Sequence, residues 1–242
     1  MFPLKTAIPY RYLPLATWTL IFLNSLVFLI EDDLQPDAFE SLVENFALVP
    51  ARYFTAGASP GLAGYLPFFT SMFLHAGWLH LIFNMWTLWL FGPAVEDRMG
   101  SRRYLGFYLA CGVLASVTYA LCNADSLSPM LGASGAIAGV LGCYVRLFPM
   151  ARMIVLVPVI IFPLFFTVPA VVFIGLWFLL QLVQGVGAIL APTGGGGIAW
   201  LAHVGGFLAG LLLGPLLHRP PGPYRAYHAD EGVLGFTPSG RR

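Results

Sequence analysis

The chain has 242 residues, of which 58% are hydrophobic and 10% charged, with a formal net charge of +1 and a mean hydropathy of +0.80. A soluble domain carries roughly 25% charged residues, and a near-neutral chain without a basic stripe gives no reason to expect nucleic-acid binding. The composition therefore predicts a helical protein that crosses a membrane several times.

Six apolar segments predict an all-α integral membrane protein with six membrane-spanning helices. They lie at 14–30, 77–93, 103–122, 134–150, 168–190 and 199–217. The first segment, LATWTLIFLNSLVFLI, is followed by Glu31, Asp32 and Asp33 and by no small-residue cleavage site, so we expect a retained helix and not a signal peptide. The predicted organisation is a cytoplasmic N-terminal segment (1–13), a six-span membrane domain (14–217) and a flexible cytoplasmic tail (218–242).

Two connecting segments have patterns of their own. Segment 31–76, between the first two spans, contains Leu42, Val43, Phe46 and Leu48 at helix-like spacing, which predicts an amphipathic outer loop resting in the membrane interface. Segment 151–170 is apolar but interrupted by three prolines, Pro158, Pro163 and Pro169. It is either an interfacial excursion or an early start of the fifth span.

The basic residues test the span count. With a cytoplasmic N-terminus and six spans, only Arg52 of the twelve Lys and Arg residues falls outside. Cytoplasmic loops of membrane proteins carry an excess of Lys and Arg. An odd number of spans breaks this pattern, so both termini are predicted to be cytoplasmic.

This orientation brings four polar residues to one depth. His80 and Asn84 lie in the outer half of the second span, and Ser134 and His203 lie near the outer ends of the fourth and sixth spans. His80 and Asn84 are four residues apart and share a helix face. Ionisable residues within spans are costly and are candidates for function.

Glycines at intervals of four predict close packing of the fourth and sixth spans. Gly135 and Gly139 follow Ser134, and Gly206, Gly210 and Gly214 follow His203. Small residues at this spacing let membrane helices approach closely, which would bring Ser134 to His203 as a hydroxyl activated by an imidazole. The alternatives are that GASG serves packing alone and that the histidines are structural, as we expect of His75. Gln181 is expected to hydrogen-bond a neighbouring helix.

The sequence resembles the rhomboid intramembrane serine proteases between about Asn45 and Gly214. The resemblance rests on GASG around Ser134, AHVGG with His203, HLIFN with His80 and Asn84, and the flanking FLHAGWLH and FGPAVEDRMG. It implies hydrolysis of peptide bonds in or near transmembrane segments, without metal or cofactor, and with single-span membrane proteins as substrates. Ser134 would be the nucleophile and His203 the general base. His80, Asn84 and the backbone amide of Ser134 would form the oxyanion hole.

The resemblance also implies that the fifth span and the APTGGGG loop (191–197) act as a lateral gate and cap. One position departs from the family, because Ala138 stands where some rhomboids carry a tyrosine stacked against the catalytic histidine. Something else must hold the imidazole, and the sequence does not identify it.

Two other functions stay open at the level of sequence. One is a non-catalytic relative that binds transmembrane helices, and the other is a small transporter with His80, Asn84 and His203 along a polar path. A zinc protease is disfavoured because the chain has no HExxH motif. The short N-terminus without a transit peptide predicts a bacterial inner membrane.

Overall fold

The computed structural model describes residues 2–55, 61–159, 162–190 and 199–218. In these residues the chain is mostly helical, as predicted. The elements in chain order are β1 (Phe2–Thr6), α1 (Leu15–Asp32), α2 (Pro36–Phe46), α3 (Ala51–Phe54), α4 (Pro67–Thr70), α5 (Trp78–Met99), α6 (Ser101–Cys122), α7 (Ser134–Leu147), β2 (Arg152–Val159), β3 (Phe162–Pro169), α8 (Ala170–Leu190) and α9 (Trp200–Leu217). The predicted loop at 191–197 and most of the predicted tail lie outside the described residues.

Helices lie at all six predicted span positions, but they differ in their capacity to cross a membrane. Helices α1, α6, α8 and α9 are long and apolar enough to do so. Helix α5 qualifies only together with the preceding segment Ala63–Phe73, from which it is bent by 80°. Helix α7 has only 14 residues. Length and composition thus support four spans, or five with the bent pair, and the count of six stays a prediction.

The short helix α7 lies at the centre of the bundle. Every residue from Gly135 to Tyr144 is buried, and its main neighbours are α9, α6 and α5. The predicted glycine contacts are present, since a Cβ atom on Gly206 would overlap the carbonyl of Gly135, and one on Gly210 would overlap that of Gly139. Helices α7 and α9 therefore pack backbone against backbone.

A carboxylate on α5 caps the beginning of α1. Glu96, which is buried, accepts hydrogen bonds from the backbone N–H groups of Ala16 and Thr17 at 2.9 and 2.8 Å, and from the Thr17 hydroxyl at 2.7 Å. The N–H groups of a first helical turn have no acceptor within the helix. Pro14 precedes α1 and offers no side-chain acceptor, so α5 supplies it.

A three-stranded antiparallel sheet was not predicted. Strands β2 and β3 form a hairpin in which Arg152 pairs with Pro169, and β1 pairs with β2 through Phe2 opposite Leu156. The early start of the fifth span is wrong, because α8 begins only at Ala170. The pairing also places the N-terminal strand and the α7–α8 connection on the same side of the bundle, as the predicted orientation requires.

The outer segment between α1 and α5 is helical over part of its predicted length. Leu42, Val43 and Phe46 lie on α2, as their spacing indicated. Leu48 does not, because α2 ends at Phe46 and Leu48 forms an isolated antiparallel bridge with Met130. Leu48 is fully buried and fixes this segment against the stretch of chain that leads to Ser134.

Candidate active site

Ser134 and His203 are in hydrogen-bonding contact. The Ser134 Oγ lies 2.8 Å from His203 Nε2, although the two residues are 69 positions apart in the chain. Ser134 is the first residue of α7 and His203 lies in the first turn of α9, so the close packing of these two helices produces the contact. The imidazole is buried and Ser134 is half-buried.

The other imidazole nitrogen has a partner on α8. His203 Nδ1 lies 2.7 Å from Gln181 Oε1, and the Gln181 side chain is buried. The rings of Trp177 and Trp200 flank the imidazole, with centroids 6.0 and 6.3 Å from it. These three side chains are neighbours of the imidazole that the sequence did not identify.

His80 and Asn84 converge on Gly132, two residues before Ser134. A Cβ atom on Gly132 would lie 2.8 Å from His80 Nε2 and 3.8 Å from Asn84 Nδ2. The backbone N–H of Ala76 lies 3.5 Å from His80 Nδ1, and an acceptor role for Nδ1 leaves Nε2 as the N–H donor. Asn84 Nδ2 is buried and has no hydrogen-bond partner among the described residues. Both donors are thus available to an acceptor near Ser134.

The backbone at the start of α7 offers a third donor. Ser134 is the first helical residue, so its N–H has no acceptor within the helix. The helix dipole adds a partial positive charge at this end. The backbone N–H of Ser134 is therefore a third candidate donor, two residues along the chain from the glycine that His80 and Asn84 approach.

His75 is fully buried behind His80, with their ring centroids 5.2 Å apart. Its backbone N–H donates to Glu31 Oε2 at 3.0 Å. Glu31 lies in α1 and is itself buried, although the sequence placed it outside the first span. These contacts support a structural role for His75, in which its ring packs against the His80 ring.

A small cavity of about 10 Å³ borders Ser134. Gly112, Ala115 and Ser116 of α6 contribute to its wall, together with Gly132 and Ala202. This space holds about one water molecule and cannot admit a peptide.

Of the sequence-predicted site residues, Ser134 and His203 are in contact, and His80 and Asn84 lie close to Gly132, two residues before Ser134. Gln181 was expected only to hydrogen-bond a neighbouring helix, and its partner was not predicted. No sequence signal connects Gln181 with His203, because the contact depends on how α8 is rotated against α9.

A model of the Rhomboid domain matches residues 63–220. The match covers about two thirds of the chain and includes Ser134, His203, His80, Asn84 and Gln181.

Individual relatives are similar over shorter stretches. The chain is 33% identical over 148 residues to the mitochondrial Rhomboid protein 1 of Saccharomyces cerevisiae, covering 60% of this chain and 39% of the relative. It is 37% identical over 114 residues to the mitochondrial Presenilin-associated rhomboid-like protein A of Danio rerio, covering 46% and 30%. It is 41% identical over 76 residues to the Putative rhomboid protease YdcA of Bacillus subtilis, covering 31% and 37%. The chain thus covers less than two fifths of each of these relatives.

Proposed function

The chain belongs to the rhomboid family, and from this premise we propose that it is an intramembrane serine endopeptidase with a Ser134–His203 dyad. The observation that carries the proposal is the 2.8 Å contact between Ser134 Oγ and His203 Nε2, made next to two side-chain donors that converge on Gly132. A serine within hydrogen-bonding distance of an imidazole is the minimal activated nucleophile.

In the acylation step, Ser134 Oγ attacks the carbonyl carbon of the scissile peptide bond while His203 Nε2 takes the hydroxyl proton. The C–N bond then breaks, and His203 returns this proton to the leaving amine. The products are a free amine fragment and an ester on Ser134. In the second half, His203 takes a proton from a water molecule whose oxygen attacks the ester carbonyl carbon. The ester C–O bond to Ser134 then breaks, His203 returns the proton to Ser134 Oγ, and the second fragment leaves with a new carboxyl group.

The tetrahedral intermediates carry a negative oxygen that needs donors already in place. His80 Nε2–H, Asn84 Nδ2–H and the backbone N–H of Ser134 are the proposed donors. Asn84 Nδ2 supports this role most directly, because a buried amide donor without a partner among the described residues is costly. A bound oxyanion would satisfy it.

The length of α7 supports a reaction below the membrane surface. Its 14 residues rise about 21 Å, less than the roughly 30 Å of the hydrocarbon core. With its C-terminal end at the cytoplasmic boundary, Ser134 lies about 9 Å below the outer boundary. Hydrolysis there needs water, and the buried polar atoms of Ser71 and His75, without partners among the described residues, suit internal water.

The protein is a multi-pass membrane protein, and we place six spans in the bilayer with both termini in the cytoplasm. The proposed substrates are single-span membrane proteins cut near the outer end of their helix. A bacterial inner membrane stays a prediction, since similar relatives come from mitochondria of yeast and fish as well as from Bacillus subtilis.

The proposal is tested by reconstituting the protein with a single-span model substrate in proteoliposomes. We expect cleavage, and we expect Ser134→Ala and His203→Ala each to lower kcat/KM by at least about 10³-fold. Ser25→Ala, which removes a hydroxyl from α1, is the matched control and should cleave normally. Undiminished cleavage by folded Ser134→Ala would contradict the proposal. Substrate capture without any cleavage would favour the non-catalytic relative instead.

A further inference from the structure

We propose that Gln181 is a positioning residue that fixes the tautomer and the orientation of His203. Activation of Ser134 then depends on how closely α8 packs against α9. This inference rests on the proposed function and deepens it. Three observations carry it: the contact with Nδ1, the burial of both partners, and the position of Gln181 on a different helix from His203.

The contact with Gln181 determines the tautomer of His203. To accept the Ser134 proton, His203 Nε2 must present a lone pair, so a neutral imidazole must carry its hydrogen on Nδ1. Gln181 Oε1 lies 2.7 Å from Nδ1 and is an acceptor only. The Nδ1–H group therefore donates to Gln181, and the tautomer that can act as a base is the one that this contact stabilises.

The same contact helps to orient the His203 imidazole. The imidazole can rotate about its Cβ–Cγ bond unless both nitrogens have partners. Ser134 on α7 and Gln181 on α8 hold it from opposite sides, while Trp177 and Trp200 limit tilting of the ring. Trp177 lies on α8, one turn before Gln181, so this helix provides both a hydrogen bond and a ring wall.

The position of α8 determines whether Gln181 reaches His203. Its side chains are mostly exposed in the structure, including Leu176, Leu179, Leu180 and Val183, and few of its contacts reach α7. A hydrogen bond of 2.7 Å is lost when its partners move apart by about 1 Å. An outward shift of α8 therefore breaks the hydrogen bond between His203 Nδ1 and Gln181. His203 acts as a base only while α8 is packed closely enough to keep this hydrogen bond.

A purely structural reading is that Gln181 only joins α8 to α9. It predicts that loss of the hydrogen bond lowers stability and leaves the chemistry of Ser134 unchanged. The positioning role predicts the reverse pattern, since leucine fits the same apolar surroundings but offers no acceptor.

The test compares labelling of Ser134 by a fluorophosphonate and substrate cleavage across a set of variants. Gln181→Leu removes the acceptor at similar volume, whereas Gln181→Glu keeps an acceptor at the same position. Gln184→Leu is the matched control, because Gln184 is exposed on the same helix. Should Gln181→Leu fail to fold, Gln181→Asn keeps a polar amide that is one methylene too short to reach Nδ1. Thermal melting is recorded for every variant.

We expect Gln181→Leu and Gln181→Asn to lower the labelling rate and kcat by about 10- to 100-fold, as metal-ligating histidines do when they lose the hydrogen-bond partner that orients them. KM should change little, and Gln181→Glu should restore much of the rate. Labelling of folded Gln181→Leu at the unsubstituted rate would overturn the inference. The inference would also be overturned if Gln181→Leu and Gln181→Glu lost the same fraction of the labelling rate and this loss followed the drop in their melting temperatures. If the unsubstituted protein is neither labelled nor active, the proposed function fails and this inference with it.

Discussion

Gly132 determines how closely the candidate oxyanion donors approach the chain in front of Ser134. Its φ of +120° is a conformation that side chains rarely adopt, and a Cβ atom here would lie 2.6 Å from the His80 ring carbon Cε1. Its backbone N–H donates to the Ser71 carbonyl at 2.8 Å, which holds the loop in place. Glycine at this position lets the backbone and both donors share one small space.

Asn84→Ala tests the oxyanion site at the scale of one atom. We expect kcat to fall by about 100-fold or more, because one preorganised donor is lost, with little change in KM for the substrate. Steady-state kinetics in proteoliposomes measure both values. Asn45→Ala is the control, since Asn45 is exposed and bonds only the Ser41 carbonyl within α2. Equal kcat for Asn84→Ala and the unsubstituted protein would exclude Asn84 as a donor.

The contact between Ser134 and His203 was predicted from the sequence and is present, but the second partner of His203 was not predicted. His80, Asn84, Ser134 and His203 follow from span depth, helix spacing and resemblance. The contact between Gln181 and His203 does not, because hydropathy defines where α8 and α9 lie along the chain and leaves their mutual rotation open.

At the scale of elements, the pairing of α7 with α9 brings the dyad together. Both helices have glycines at positions where a Cβ atom would meet the backbone of the other helix, as at Gly206, Gly210 and Gly142. Two cysteine side chains also pack against glycines of α7 and α9, since Cys111 lies against Gly139 and Cys143 against Gly214. Cys111 and Cys143 are buried, whereas Cys122 is exposed.

Gly210→Ala tests whether this close approach is required. The new methyl group meets a backbone carbonyl, which cannot rotate away, so the two helices must separate. We expect the free energy of unfolding to fall by about 1–3 kcal/mol, together with a lower cleavage rate. Denaturant titration of the detergent-purified protein measures the first effect.

Gly106→Ala is the control for that experiment. Gly106 lies on α6 with no atom within 4 Å of its Cβ position, and alanine favours helix over glycine by roughly 1 kcal/mol. Its stability should stay the same or rise. A loss of stability in Gly106→Ala equal to that in Gly210→Ala would show that the loss does not depend on the close approach of α7 and α9, and would contradict the packing account.

The sheet was beyond prediction for a physical reason. Residues 151–170 form an apolar run that three prolines interrupt, and an apolar run does not by itself distinguish a buried strand from a buried helix. The partner strand Phe2–Thr6 lies about 150 positions away and shows no alternating pattern of its own. The hairpin exposes Phe162, Phe165 and Phe166, which suits contact with lipid at a membrane interface.

At the scale of the whole molecule, charge distribution and strand pairing agree on orientation. The charge count predicts that the N-terminus and the connection after the fourth predicted span lie on the cytoplasmic side. The pairing of β1 with β2 independently requires these two segments to lie on the same side. An even number of crossings between them, four, satisfies both requirements.

Cysteine accessibility tests this orientation. In a Cys122→Ser background, Asp37→Cys on α2 should react with a membrane-impermeant maleimide in intact spheroplasts. Lys5→Cys on β1 should react only after the membrane is opened. Both original side chains are exposed, so the difference reports the side of the membrane and not burial. Reaction of Lys5→Cys in intact spheroplasts would reverse the proposed topology.

The central claim, that Ser134 is a nucleophile activated by His203, is tested most directly by fluorophosphonate labelling of the purified protein with the adduct located by mass spectrometry. The account predicts a single adduct on Ser134, none in Ser134→Ala, and strongly reduced labelling in His203→Ala. A folded, unsubstituted protein that forms no adduct, or forms it on another serine, would contradict the claim.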